Sequence, residues 1–352
     1  MSIGVLRALA SAVVISVSPL AAAPVALRGY NAAIGETSIS GISSGAFMAV
    51  QFATAWSSVI KGVGVIADGP FWCAKADADD FINGYMLPVL TATGSCMTGP
   101  PSDLNTFIAK ADAKAVSGDI DSLQNLSRQK IYIFHGYNDA VVAKSVTDAA
   151  ADFYRHYLGD TNDGNLYYQT AIGAGHSLVV LQEPHVNGLN DCKDNDVPYI
   201  DQCGYDQAGI VLQHTYGAPN PPNRGQLTGT MMRFDQSVCT KPDDADSLSL
   251  GDAGYVFVPK DCAVARAASI SLSTDANRTS TISANVSSTT PGTILGLIRT
   301  ISSSSIRRPC RVRICRLIRK HVGTGGVTSI TRTAMSRNRD PRSGRLKPCS
   351  MH

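Results

Sequence analysis

The stretch Glu36-Thr-Ser-Ile-Ser-Gly41-Ile-Ser43-Ser-Gly45-Ala-Phe-Met-Ala-Val-Gln-Phe52 constrains the fold more than any other part of the chain. Thr37 to Ile42 can form a short strand, and Ala46 to Trp56 runs without a helix breaker, with Met48, Phe52 and Ala55 on one face. Gly62-Val-Gly-Val-Ile-Ala67 then reads as a buried parallel strand. Strand, sharp turn, helix and strand commit the chain to an α/β architecture and turn the pattern Gly41-x-Ser43-x-Gly45 into a candidate nucleophile elbow. Glycines two residues to either side of Ser43 leave room for a strained turn. Ser43 then projects at the helix N-terminus, and the Ser44 backbone N–H is available to an oxyanion.

A serine hydroxyl is a poor nucleophile near neutral pH, so this reading requires a histidine base and an acid to orient it, in the chain order Ser, Asp, His. Lys130-Ile-Tyr-Ile-Phe134 alternates as a strand and ends in His135-Gly-Tyr-Asn-Asp139-Ala-Val-Val142, which places Asp139 in the loop beyond a strand's C-terminal end. Open α/β sheets keep their sites there. A helix with Val146, Ala150, Phe153 and Tyr157 on one stripe follows, then a strand over Asn165 to Ile172, then Gly173-Ala-Gly175-His176-Ser177. Position on this glycine-rich loop, rather than residue type, singles out His176 among seven histidines; His135 reads as a turn residue beside the acid.

The chain has 352 residues, 44% of them apolar, which suits one large domain or two smaller ones and excludes global disorder and fibrous repeats. Met1–Arg7, the apolar run Ala8–Leu20 and the small residues Ala21–Ala23 read as a secretory signal peptide over residues 1–23. No later run is long and apolar enough to span a bilayer. All nine cysteines lie beyond that segment, where export favours disulfides; Cys73 with Cys96, Cys192 with Cys203 and Cys239 with Cys262 are neighbours that could pair, one of fifteen connectivities. No metal-ligand spacing and no phosphate-binding glycine loop is present, so neither a metal nor another cofactor is expected, and no nucleic-acid partner is implied.

The words GISSGAFMAVQ, FHGYNDAVV, GAGHS, CGYDQAGIVLQHTYG and GYVFVPKDC together resemble the secreted short-chain polyhydroxyalkanoate depolymerases, in their second catalytic-domain type, over about residues 30 to 262. The resemblance implies an α/β-hydrolase catalytic domain over 24–262 and a serine esterase that cuts poly(3-hydroxybutyrate), with Ser43 as nucleophile, His176 as base and Asp139 as its orienter. Related esterases act on feruloyl or acetyl groups of plant polysaccharides, which makes a carbohydrate-directed carboxylesterase the second reading. A non-catalytic secreted binder with a basic tail is the third. Few residues precede Ser43 for the strands that ordinarily come before an elbow, so the fold is expected to be circularly permuted. Gly254-Tyr-Val-Phe-Val-Pro-Lys260 resembles the depolymerase strand leading to the oxyanion loop.

The tail over 263–352 is a different kind of sequence. Up to Ala265 there are 15 Lys and Arg against 26 Asp and Glu; the remaining 87 residues hold 16 against 2, and no Phe, Trp or Tyr occurs from residue 258 onward. In the neighbouring reading frame Ala268–Arg278 permits I-H-I-S-L-H-G-C-K-Q, Ser302–Arg307 permits I-V-L-Y-P-Q, and Arg319–Val327 permits Q-A-C-W-D-W-W-G. The His-Gly-Cys and Trp-rich words are those the resemblance requires, so the expectation is a frameshift between Cys262 and Ala268, a second oxyanion donor missing in this frame, and a tail that does not fold natively, with an inactive frameshifted product as an alternative to the esterase. Chain-length preference and oligomeric state are not encoded in any motif.

Overall fold

The computed structural model describes residues 25–26, 30–31, 33–75, 86–181, 188–218, 229–235, 253–259, 268–273 and 311–312. The signal-peptide segment 1–23, Cys239, Cys262 and most of the tail lie outside these residues. The centre is a parallel sheet of β1 (Ala33–Ile42), β2 (Ile60–Ile66), β3 (Lys130–Phe134), β4 (Leu166–Gln169) and a late strand, β10 (Ala268–Ser273). Its order is β10-β1-β2-β3-β4, and every neighbouring pair runs parallel. The far neighbour of the first strand is thus the last in sequence, the order that circular permutation predicts.

Alternation along the strands sorts side chains into two layers. Val63, Val65, Ile131 and Ile133 join Phe71, Phe107, Phe153 and Tyr154 on the face covered by α1 (Ser44–Ala55), α2 (Leu104–Val116) and most of α3 (Lys144–Leu158). Ile66, Tyr132 and Phe134 face the other way, with Val211 of α4 (Gln207–Tyr216). Each fully buried aromatic or branched side chain here is worth about 1.5–3 kcal/mol relative to exposure. The Gly-Val-Gly-Val run explains the asymmetry: a Cβ on Gly62 would lie 2.6 Å from Thr215 Cγ2, and one on Gly64 3.2 Å from Val211 Cγ1. The glycines of β2 let α4 lie close to the sheet while its valines fill the opposite layer.

The strand expected over 165–172 is shorter, because Asn165 ends a 3₁₀ turn over Asp160–Asn165 and the Gln169 side chain accepts the Ala171 N–H at 2.7 Å. Beyond it lie β5 (Leu178–Val180), β6 (Asn190–Asp191) and β7 (Ile200–Gln202), which form a small parallel sheet in the order β5-β7-β6. The disulfides Cys73–Cys96 and Cys192–Cys203 are both formed. The run Gly254–Lys260, read as strand-like, forms β9 (Ala253–Pro259), which pairs antiparallel with β8 (Gly229–Asp235) in a separate sheet. Residues 254–259 are half-buried or exposed, as suits a covering strand pair rather than a central strand. The strand beside β1 is β10.

Candidate active site

Because β1, β2, β3 and β4 run parallel, the loops after them meet along one edge of the sheet. Ser43 follows β1, Asp139 lies in the loop after β3, and His176 lies in the loop after β4.

Ser43 has φ 55° and ψ −128°, a backbone conformation that costs a non-glycine residue on the order of 1–3 kcal/mol. The flanking glycines make the turn possible. A Cβ on Gly41 would fall 2.3 Å from the carbonyl carbon and oxygen of Gly45, so the two ends of the motif touch backbone to backbone. The Ser43 N–H donates to Ile66 O at 3.0 Å, and its carbonyl accepts from Ala46 N at 2.8 Å and Phe47 N at 2.9 Å, opening α1. Ser44 supplies the first residue of that helix.

Asp139 and His176 are joined directly. His176 Nδ1 lies 2.9 Å from Asp139 Oδ2, with side-chain exposures of 3% and 0%. The other carboxylate oxygen, Oδ1, accepts from the Val141 N–H at 2.8 Å and the Val142 N–H at 2.9 Å. Two fixed donors hold Asp139 as an acceptor towards the ring, so Nδ1 carries a proton and Nε2 is left as the basic nitrogen. The Tyr199 ring stands edge-on to the imidazole at 5.9 Å. His135, read as a turn residue, is buried and donates from Nε2 to Val142 O at 2.9 Å, bracing the acid loop from within.

Three groups around this arrangement, one half-buried and two fully buried, carry no signal in the sequence. The Asn195 amide touches both the acid and base loops, through bonds to Ala140 N, His176 N and Asn138 O. Asp201 on β7 is fully buried. Burial, aided by the Asp194 charge, pushes its carboxyl up to about 6; Ser177, Asn190 and the Gly175 N–H oppose the shift, although neither oxygen makes a hydrogen bond of ordinary length. Asp68, just after β2, is also fully buried, and desolvation holds its carboxyl well above the usual range. Among the described residues no group of His, Cys, Asp or Glu could hold a metal ion, and no helix is long and apolar enough to cross a membrane.

A parallel sheet with a strand–turn–helix elbow and a buried acid–histidine pair at one edge defines an α/β hydrolase, here with its late strand beside the elbow strand. No family model matches the chain. It is 34% identical to a poly(3-hydroxybutyrate) depolymerase of Delftia acidovorans over 64% of its length and 42% of the relative's. It is likewise 34% identical to a polyhydroxybutyrate depolymerase of Talaromyces funiculosus, over 68% of this chain and 64% of the relative. The chain therefore spans less than two thirds of the length of these curated relatives. The crystal structure of the PHB depolymerase from Penicillium funiculosum superposes with a TM-score of 0.57 at 32% identity, covering 68% of this chain and 67% of that one. A PHB depolymerase complexed with an R3HB trimer superposes with a TM-score of 0.56, also at 32% identity, covering 68% of each. The chain belongs to the PHB depolymerase family.

Proposed function

We propose that the protein is a secreted serine esterase that hydrolyses the ester bonds of poly(3-hydroxybutyrate)-type polyesters through an acyl-enzyme intermediate. The observation that carries this reading is the allocation of the Asp139 oxygens: two backbone donors on Oδ1 and the His176 ring on Oδ2. That allocation leaves His176 Nε2 to take a proton from the Ser43 hydroxyl as its oxygen attacks the ester carbonyl. The C–O bond to the leaving alcohol breaks as Nε2 returns the proton, and the same nitrogen then activates water to release the acid from Ser43. The Ser44 N–H, at the start of α1, is one donor to the oxyanion; loss of one such donor costs about a hundred- to a thousandfold in rate.

By the same proposal the second donor belongs to residues after Ser273, where the neighbouring frame permits His-Gly-Cys; Ser273 itself lies opposite Gly41 of the elbow strand. Resequencing the gene from the Cys262 codon tests this. A single gained or lost base that restores the aromatic frame is the result expected, and an unchanged frame refutes it. Export by the segment 1–23 completes the reading, since a solid polymer cannot enter a cell. The catalytic proposal is tested with Ser43→Ala, which should abolish release of 3-hydroxybutyrate from polymer film while leaving the circular dichroism spectrum unchanged. Normal activity in that variant would refute the site. Release of ferulate or acetate from xylan with none from film would instead assign a carbohydrate substrate.

A further inference from the structure

The loop between β6 and β7 reaches across the sheet edge to the two loops that bear Asp139 and His176, and one side chain makes the connection. Asn195 Oδ1 accepts from the Ala140 N–H at 2.9 Å and from the His176 N–H at 2.8 Å. Its Nδ2 donates to Asn138 O at 3.1 Å and to Lys193 O at 3.2 Å. Backbone N–H groups only donate and backbone carbonyls only accept, so these neighbours fix the amide's orientation, and its two acceptor and two donor positions are all used. Both residues flanking Asp139 are held, together with the amide of the histidine that pairs with it.

The loop that carries Asn195 is itself anchored at several points. Cys192 is tied to Cys203 by a disulfide, and its carbonyl accepts the Gly175 N–H at 2.8 Å, one residue before His176. Asn190 Nδ2 donates to Asp196 O at 2.6 Å, and the Leu178 N–H donates to Tyr199 O at 2.9 Å. Contact with the histidine loop is so close that a Cβ on Gly175 would lie 1.9 Å from Asp194 O. Glycine at 175 is therefore a requirement of the approach, and the two loops pack backbone against backbone.

We infer that Asn195 is a positioning residue that fixes the separation between the acid loop and the base loop, and so sets the Asp139–His176 hydrogen bond. This rests on the reading of Asp139 and His176 as acid and base. Asn195 touches neither the ester nor a reacting atom; it acts through the loops on either side. Misplacing a catalytic group by about 1 Å can cost on the order of a hundredfold in rate.

The test compares Asn195→Ala and Asn195→Asp in the full chain, with a soluble p-nitrophenyl ester as substrate and the downfield proton resonance of His176 Nδ1–H as a readout independent of turnover. In Asn195→Ala, kcat should fall about a hundredfold with KM unchanged, and the resonance should broaden away as the pair loosens. Asn195→Asp keeps the acceptor oxygen for the Ala140 and His176 amides but sets its second oxygen against the Asn138 and Lys193 carbonyls, so it should lose kcat and the resonance as the alanine variant does. Should the alanine variant fail to fold, Asn195→Leu carries the same test with the side-chain volume nearly kept. Near-normal kcat in the alanine or leucine variant, with the resonance retained, would overturn the inference, as would an aspartate variant with near-normal kcat. His176→Ala separates the two levels of argument. If it keeps activity, the acid–base reading fails; if it is inactive while Asn195→Ala is normal, the positioning role alone fails.

Discussion

Replacing Asp139 by Asn changes one atom, yet the surrounding hydrogen bonds turn it into a specific defect. Oδ1 accepts from the Val141 and Val142 N–H groups at 2.8 and 2.9 Å, so the amide oxygen of an asparagine must occupy that place. Its NH₂ is then forced onto the position of Oδ2, 2.9 Å from His176 Nδ1. A donor facing Nδ1 makes that nitrogen the acceptor and moves the ring proton to Nε2, the atom that must accept from Ser43. Rotating the amide the other way would set an NH₂ against two backbone N–H groups in a site with 0% side-chain exposure, which is costlier still. The wrong tautomer in a serine triad lowers kcat about 10⁴-fold, which is about 5.5 kcal/mol of transition-state stabilisation. Asp139→Asn should show this loss in initial rates with p-nitrophenyl butyrate, with KM little changed and a thermal midpoint close to that of the parent. Activity within tenfold of the parent would refute the tautomer argument.

Gly41→Ala places a methyl 2.3 Å from the Gly45 carbonyl, where only backbone can give way. The expected result is a loss of about 1–3 kcal/mol in urea unfolding together with esterase activity, and an unchanged midpoint would mean that the two glycines do not fix the elbow. Asp201→Asn tests the pH dependence. The Asp201 carboxyl is raised from 3.8 to about 6, so the folded protein holds that proton where the unfolded chain has released it. Its contribution is complete below about pH 4 and is lost as pH rises through about 6. The asparagine variant lacks this loss, so its advantage in unfolding free energy should grow between pH 4 and pH 7 to as much as about 3 kcal/mol and then stay level. A difference independent of pH would refute the assignment.

Much of the site was legible because its parts are local. The glycines around Ser43, the alternation of Lys130–Phe134 before Asp139 and the glycines before His176 are each signals within a few residues. Helix α3 was legible for a similar reason: Val146, Ala150 and Phe153 recur at helical spacing and are fully buried. What was not legible depends on residues meeting from distant parts of the chain. Asn195 sits in Lys-Asp-Asn-Asp, a polar loop with no periodicity, and its role exists only because that loop lies against two others. Run 254–260 has an extended, apolar sequence, which fixes a strand but not its partner; the pairing with β8 is a tertiary outcome. Asp201 looks like a surface carboxylate in sequence and becomes buried only when β7 is enclosed between β5 and β6.

The elbow is held by the sheet more than by its own turn. The first residue after each of three successive strands donates its N–H to the last carbonyl of the next strand: Ser43 to Ile66 at 3.0 Å, Ala67 to Phe134 at 2.9 Å and His135 to Gln169 at 3.0 Å. These bonds extend the parallel ladder one step past each strand and link the Ser43 turn, through β2, to the loop of Asp139. At about 0.5–1.5 kcal/mol each, together they are comparable with the cost of holding Ser43 at positive φ, about 1–3 kcal/mol. On the opposite flank β10 meets β1 in register, with Ser273 opposite Gly41, so the backbone leaving β10 starts beside the elbow. Circular permutation therefore divides the support of one serine between residues near the start of the chain and residues beyond 265. The two sides differ in kind: the β2–β3–β4 side fixes the turn through successive hydrogen bonds, whereas the β10 side meets β1 along its length up to Ser273. A change after Ser273 should thus leave the elbow and the Asp139–His176 pair in place.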